Sequence, residues 1–203
     1  MPSDGWLRRR AHVAAQIEQA ALDLCTDRPP DDVTVDEIAQ AAGISRRTFF
    51  RYFRTRGDVF GALPLRHTEY LCAQAARRPA HETVMQAFIA AADEGGDEFE
   101  DDLLRQWAET VVPSLPIDGW SINAIEDAYA AVVAQREQLP SDDPRVRIWA
   151  DALASVSRLA FESWMVQGGS RTKILAESWK VLAQLQGPGT HLKVTLPRGG
   201  SAG

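Results

Sequence analysis

VDEIAQAAGISRRTFFRYF, residues Val35 to Phe53, has the spacing of two short helices joined by a tight turn. Thr34 stands where an N-cap belongs and Glu37 follows three positions later, the reciprocal partner of a capping box, so a helix begins there. Ile38, Ala39 and Ala42 fall at helical spacing, and Gly43 supplies the positive φ that lets the helix stop and turn. Ile44 is placed to plug the angle between the two helices. Ser45 can cap the second helix, on which Phe49 and Phe53, four apart, share the inner face. Arg46, Arg47, Thr48, Phe50, Arg51 and Tyr52 are left on or near the outer faces. No acid occurs between Ile38 and Gly57, whereas Arg46, Arg47, Arg51, Arg54 and Arg56 all fall there. An arginine-rich amphipathic helix is in general merely a solvated face. Here the capping box, the turn glycine and the aromatic inner face coincide with it, and such a cationic patch is what DNA phosphates attract.

With these residues in place, the segment from about Arg10 to Phe60 resembles the DNA-binding domain of the TetR family of one-component bacterial regulators. In that family a first helix supports the helix-turn-helix. Ala14, Ile17, Ala21 and Leu24 recur at steps of three and four, the apolar stripe such a helix needs, with its end expected near Asp27, before Pro29 and Pro30. The resemblance implies that Arg46 and Arg47 reach base edges, where arginine forks bidentately onto guanine. It also implies that Thr48, Phe50, Tyr52, Arg56 and the first turn at Thr34 meet the DNA backbone, with Ser45 at the head of the helix counted among them. One position departs from the family pattern: Phe50 stands where a tyrosine hydroxyl frequently reaches a phosphate, so its contact would be apolar or absent. Arg8, Arg9 and Arg10 read equally as an arm touching DNA or as a charged start to the first helix.

The chain has 203 residues and a formal net charge of -6, odd for a general nucleic-acid coat. Counting by segment resolves this: residues 1–58 carry nine arginines against nine acids, so the remainder holds the whole excess of acid. Cys25 and Cys72 are too few and too scattered for a zinc site or a disulfide framework, and read as small core residues in a reducing compartment. His12, Gln16 and Glu18 interrupt any secretory signal, and no run approaches the roughly 18 apolar residues of a membrane span. The expected location is cytoplasmic, with no membrane partner.

Beyond Gly57 the pattern is helical almost throughout, so the expected fold is all-α, with a loose tail over 187–203 in which HLKVTL could form a short strand. The resemblance implies a three-helix DNA-binding domain over residues 1–58 and a helical ligand-binding and dimerisation domain over 59–186. Helices are expected at about Arg56 to Arg77, bent or interrupted by Pro64, then at His81 to Asp93, Asp97 to Val112, Ser121 to Leu139, Val146 to Gly168 and Ser170 to Gln186. Asp143 and Pro144 form a cap and first-turn pair before the fifth of these. The last two helices are apolar over more than one face, which asks for neighbours on two sides. The resemblance implies docking of this pair on a second subunit, with Val156, Ala160, Trp164, Leu182 and Leu185 at the interface of a homodimer; the alternative is that these faces complete the core of one chain.

Six tryptophans are many for this length. Indoles at helical spacing are usually packing, yet Met85, Phe88, Trp107, Tyr129 and Trp149 could wall a cavity for an apolar or aromatic ligand, with Arg105 and Arg136 as anchors for an acidic end or as solvated side chains. The PSDDPRVR loop, the helix ending SWMVQGG and the closing helix also resemble the branch of mycofactocin-type regulators, which implies acyl-thioester-like ligands. Seven carboxylates between Asp93 and Asp102 read as a solvated loop and helix start. His12, His67, His81 and His191 are isolated, and no GxSxG or GxGxxG appears, so no catalytic residue, metal or cofactor is expected. The function expected is that of a regulator, a dimer binding a palindromic operator in double-stranded DNA and released by a small hydrophobic or acyl-type effector. A DNA-binding dimer with no small ligand, and an enzyme on the same scaffold, are the alternatives.

Overall fold

A computed structural model describes residues 4–94, 101–112 and 122–185, and among these residues it contains nine α-helices, one 3-10 turn and no strand. The helices are α1 (Asp4–Leu24), α2 (Val35–Ala41), α3 (Arg46–Tyr52), α4 (Arg56–Arg77), α5 (Val84–Glu94), α6 (Asp101–Val111), α7 (Ile122–Glu137), α8 (Pro144–Gln167) and α9 (Arg171–Leu185). The all-α expectation holds, and so does the number and order of the helices. The acidic stretch 95–100, Trp120, the tail and its HLKVTL segment lie outside the described residues.

Helix starts are set by side chains that accept the first free N–H groups. Thr34 caps α2 through a full capping box with Glu37. Thr55 and Asp58 make a second reciprocal pair at the head of α4: Asp58 accepts from the Thr55 N–H at 3.0 Å and Thr55 Oγ1 accepts from the Asp58 N–H at 3.1 Å. A third, Thr83 with Gln86, begins α5 at Val84, three residues later than its apolar pattern alone indicates. Asp143 with Pro144 starts α8 as expected. Donation from the Arg145 guanidinium and backbone holds the Asp143 carboxyl down at about 2, so the cap is ionised at any ordinary pH.

Pro64 does not end α4, which runs unbroken from Arg56 to Arg77. A proline inside a helix cannot donate to the carbonyl four residues back, here that of Phe60. The buried indole N–H of Trp107, on α6, donates to that oxygen instead.

By packing the chain divides into two units, residues 1–70 with 97–125, and residues 71–96 with 126–203. The first thus extends past residue 58 along α4 and takes in α6. Its core joins Ile17 and Ala21 of α1, Val33, Ile38 and Ala39, Phe49 and Phe53, Phe60 and Leu63 of α4, and Leu104, Trp107 and Val111 of α6. Glu18 is 5% exposed and pairs with Arg66 at 2.8 Å, which supplies the partner that a buried carboxylate requires. Cys25 is buried, and burial pushes its thiol up to about 11.

In the second unit α9 packs on α5 and α8. Phe88, Tyr129 and Trp179 form a triangle of edge-to-face contacts with ring centroids 5.3–6.3 Å apart, and the Tyr129 hydroxyl meets Ser157 Oγ at 2.9 Å. Arg136 is half-buried and commits both terminal nitrogens to backbone. It donates to the carbonyls of Ala75, Arg78, Pro79 and Glu82, closing the C-terminal end of α4 and the turn that follows. No helix among the described residues is long and apolar enough to cross a membrane.

Candidate nucleic-acid interface

The α2-turn-α3 segment is built as its sequence indicates. Thr34 Oγ1 accepts from the Glu37 N–H while Glu37 Oε2 accepts from the Thr34 N–H at 2.8 Å. The Thr34 hydroxyl also donates to Glu37 Oε2 at 2.7 Å, and this bond first, with those from the Thr34 N–H and from Arg28, holds the Glu37 carboxyl down at about 2. Gly43 sits at φ +65°, and the Ile44 N–H returns to the Ala39 carbonyl at 2.9 Å, which closes the turn. Ser45 caps α3 by accepting from the Thr48 N–H at 3.1 Å. Phe49, fully buried, and Phe53 anchor the inner face, so the outer face is held rigidly by a core side chain rather than by a loop.

On that outer face Arg46, Arg47, Phe50 and Arg51 are exposed. Arg46 donates to Asp36 of α2 at 2.8 Å, and its guanidinium lies 5.4 Å from the centroid of the Phe50 ring. Phe50, 44% exposed, in turn meets the buried Phe49 edge to face at 5.4 Å. Arg47 is exposed and makes no ion pair, ring contact or side-chain hydrogen bond among the described residues. The ring of Tyr52 carries two guanidinium groups, Arg51 of its own helix and Arg10 of α1, each 5.4 Å from its centroid. Thr48 is half-buried and shares a hydroxyl contact with Ser45 at 2.9 Å.

Two of the expected backbone-contacting side chains have other work. Arg56 is half-buried, pairs with Asp31 at 2.8 Å and donates to the carbonyls of Asp31 and Val33. It ties the 3-10 turn Pro30–Asp32 to the head of α4, a link across 25 residues that local spacing cannot reveal. The Thr34 hydroxyl is engaged in its capping box. Asp36, beside Arg46, was not singled out in the sequence; its position one residue into α2 was the available signal.

The expected ligand-contacting residues fall in different places. Met85, Phe88, Tyr129 and Trp149 are buried in the second unit, whereas Trp107 belongs to the first, with its N–H committed to Phe60. The indole N–H groups of Trp149 and Trp179 are buried with no acceptor among the described residues. Of the expected interface residues, Ala160 and Trp164 are 3% and 1% exposed and point into the second unit, where Trp164 Nε1 donates to the Gly169 carbonyl at 3.1 Å. Val156 and Leu182 are half-buried, and the Leu185 side chain lies outside the described residues. The exposed apolar side chains of α8 and α9 are instead Ile148, Leu159, Val166 and Val181, the first three on one stripe of α8. Asp93 and Glu94 pair with Lys180 and Arg78, and no group of three His, Cys, Asp or Glu among the described residues is placed to hold a metal ion.

The family model described as bacterial regulatory proteins, tetR family, matches residues 17–63, and one described as the MftR C-terminal domain matches residues 78–186. The chain is 32% identical over 148 residues to an uncharacterized HTH-type transcriptional regulator of Mycobacterium tuberculosis, a match covering 71% of this chain and 72% of that protein. It is 42% identical over 52 residues to a candidate mycofactocin biosynthesis transcriptional regulator, MftR, of the same species; that match spans only 26% of either chain. Among solved structures, a TetR transcriptional regulator from Rhodococcus sp. RHA1 superposes with a TM-score of 0.53 at 15% identity, over 91% of this chain and 98% of that one, a likeness of fold.

Proposed function

Since the chain belongs to the TetR family of bacterial transcriptional regulators, with a DNA-binding helix-turn-helix and a C-terminal domain of the MftR type, we propose that it is a cytoplasmic repressor. It binds a palindromic operator as a homodimer and is released by a small effector. The observation that carries the reading is α3 itself: a capped, core-anchored helix with Arg46, Arg47, Phe50 and Arg51 exposed on one face and no acid of its own. Residues 1–58 supply the DNA contacts and residues 59–186 the ligand and subunit contacts. Arg46 and Arg47 read base edges; Thr34, Ser45, Thr48 and Tyr52 set the helix against the phosphates.

Dimerisation supplies two copies of α3 for two half-sites related by a two-fold axis. The exposed stripe Ile148, Leu159 and Val166, with Val181, is the face we assign to the subunit contact, in place of the inward-pointing Ala160 and Trp164. The effector is assigned to the interior of the second unit, near Met85, Phe88, Tyr129 and Trp149. Two buried indole N–H groups, those of Trp149 and Trp179, without acceptors among the described residues favour a ligand with a carbonyl oxygen, as an acyl thioester has. A ligand that binds the DNA-incompetent state better lowers DNA affinity by the same factor that DNA lowers its own. The mutual packing of Phe88, Tyr129 and Trp179 favours a second reading, a DNA-binding dimer with no small ligand.

The test is capture of sheared genomic DNA from the source organism by the purified full chain, followed by challenge of the captured fragments with acyl-CoA thioesters of graded chain length. Recovery of a discrete upstream fragment, released by one thioester at low concentration, supports the whole reading. A discrete fragment that no thioester releases supports the ligand-free reading, and no discrete fragment contradicts both.

A further inference from the structure

We propose that Phe50 and Asp36 are specificity-determining positioning residues: together they hold the Arg46 guanidinium in the orientation in which it meets a base edge. The inference rests on the reading of α3 as the helix that reads DNA.

An exposed arginine has large rotamer freedom, and most of it must be lost before a guanidinium can fork onto a base. Here two contacts restrict it. The Phe50 ring lies against the guanidinium, 5.4 Å from centroid to Cζ, and Asp36 accepts from Nη1 at 2.8 Å. The Phe50 ring is itself braced at 85° by Phe49, which is fully buried, so the line of contacts runs from the core to the exposed fork. A guanidinium carries five N–H groups in one plane. A ring against one side and a carboxylate on one N–H leave further donors of that plane for the acceptors of a base.

The helix dipole favours an acid in the first turn of α2 and Phe50 packs on Phe49, but neither of these requires the contact with Arg46. Asp36 and Arg46 are 67% and 60% exposed, and an ion pair so exposed contributes little to stability. A carboxylate on a surface that approaches phosphate weakens DNA binding through repulsion, so its presence beside the base-reading arginine needs a compensating role. Phe50 has no hydroxyl for a phosphate, yet it keeps a large ring at 44% exposure on a polar surface. Supporting Arg46 accounts for both. Arg47, one residue on, has no such support and provides an internal comparison.

The test is site selection from a random duplex DNA library with the full chain and its R46A, F50L, F50W and D36N variants. R46A identifies the base pair that Arg46 reads. At that base pair F50L and D36N are expected to reduce discrimination, roughly 10- to 100-fold for a bidentate arginine, to a few-fold, while the position read by Arg47 is unchanged and F50W restores the loss. D36N should also bind mixed-sequence DNA more tightly, because it removes a negative charge from the surface that meets phosphate; a loss of discrimination confined to the Arg46 position is what a merely structural role would not produce. Wild-type discrimination by both F50L and D36N at the Arg46 position, or a loss spread evenly over all positions, overturns the proposal and leaves the DNA reading intact. Failure of the wild type to enrich any site overturns both. Phe50 and Asp36 are exposed, and D36N keeps the inference testable should F50L fail to fold.

Discussion

Arg46 and Arg47 are neighbours on α3 in different surroundings, and the difference sets what each substitution should do. Replacing either by alanine should cost about 1–3 kcal/mol of operator binding and relax base preference at one position, as measured by titration of the selected site and its single-base variants. Arg56 should behave otherwise. Its bonds to Asp31 and the Val33 carbonyl make it part of the fold of the first unit, so Arg56→Ala should lower unfolding free energy by about 1–3 kcal/mol in denaturant titration, and not merely weaken DNA binding. A variant of full stability that binds all sequences equally weakly would show a phosphate contact instead. Such differences mark what was legible in the chain. Thr34, Gly43 and Ser45 act within three residues of themselves and could be read from spacing. The Asp31 partner of Arg56 and the Asp36 partner of Arg46 are brought close only by the turn between helices, and the sequence alone showed neither.

Elements announce themselves where a cap acts on its own helix, and hide their ends where the tertiary fold intervenes. The starts of α2, α3 and α8 follow from Thr34, Ser45 and Asp143, while α4 runs through Pro64 with the freed Phe60 carbonyl accepting from the distant Trp107 indole. The Trp107 bond to Phe60 could not be read from either segment alone. It makes a specific prediction: Trp107→Phe should cost about 1–3 kcal/mol in the wild type, since a buried carbonyl loses its donor. The cost should be smaller in a Pro64→Ala background, where the helix regains its own donor. Equal costs in both backgrounds, measured as a double-mutant cycle, would show that the indole contributes by packing alone. The capping box of α2 has a pH signature. Glu37 is held at about 2, below its ordinary value of 4.5, so its contribution to stability is complete above that ordinary value and is lost as pH falls toward 2. Glu37→Gln should flatten this acid limb of the stability curve, and an unchanged limb would assign it to other carboxylates.

At the scale of the whole molecule, charge is zoned along the sequence, balanced up to residue 58 and acidic beyond, but the packing boundary was not legible from it. Residues 59–70 and α6 belong with the helix-turn-helix by contact, because Phe60, Leu63 and Trp107 share its core. The subunit face was also hard to read. Helices apolar on two sides reveal that two neighbours exist, not which side faces which; of the expected interface residues Val156, Ala160, Trp164, Leu182 and Leu185, Ala160 and Trp164 are buried and Val156 and Leu182 half-buried. Leu159→Asp or Val166→Asp should convert a dimer to a monomer in sedimentation velocity with helicity retained. Trp164→Ala should instead destabilise the chain by about 3–5 kcal/mol through a core cavity; a dimer unmoved by both aspartates would place the subunit contact elsewhere. The central claim, that a two-fold pair of α3 helices reads sequence, is tested most directly by selecting sites from random duplex DNA with the purified full chain at two salt concentrations. A two-fold symmetric motif enriched at both, its half-sites about one helical turn apart or a multiple of it, is the result the account predicts. Uniform, salt-sensitive binding with no motif would contradict it.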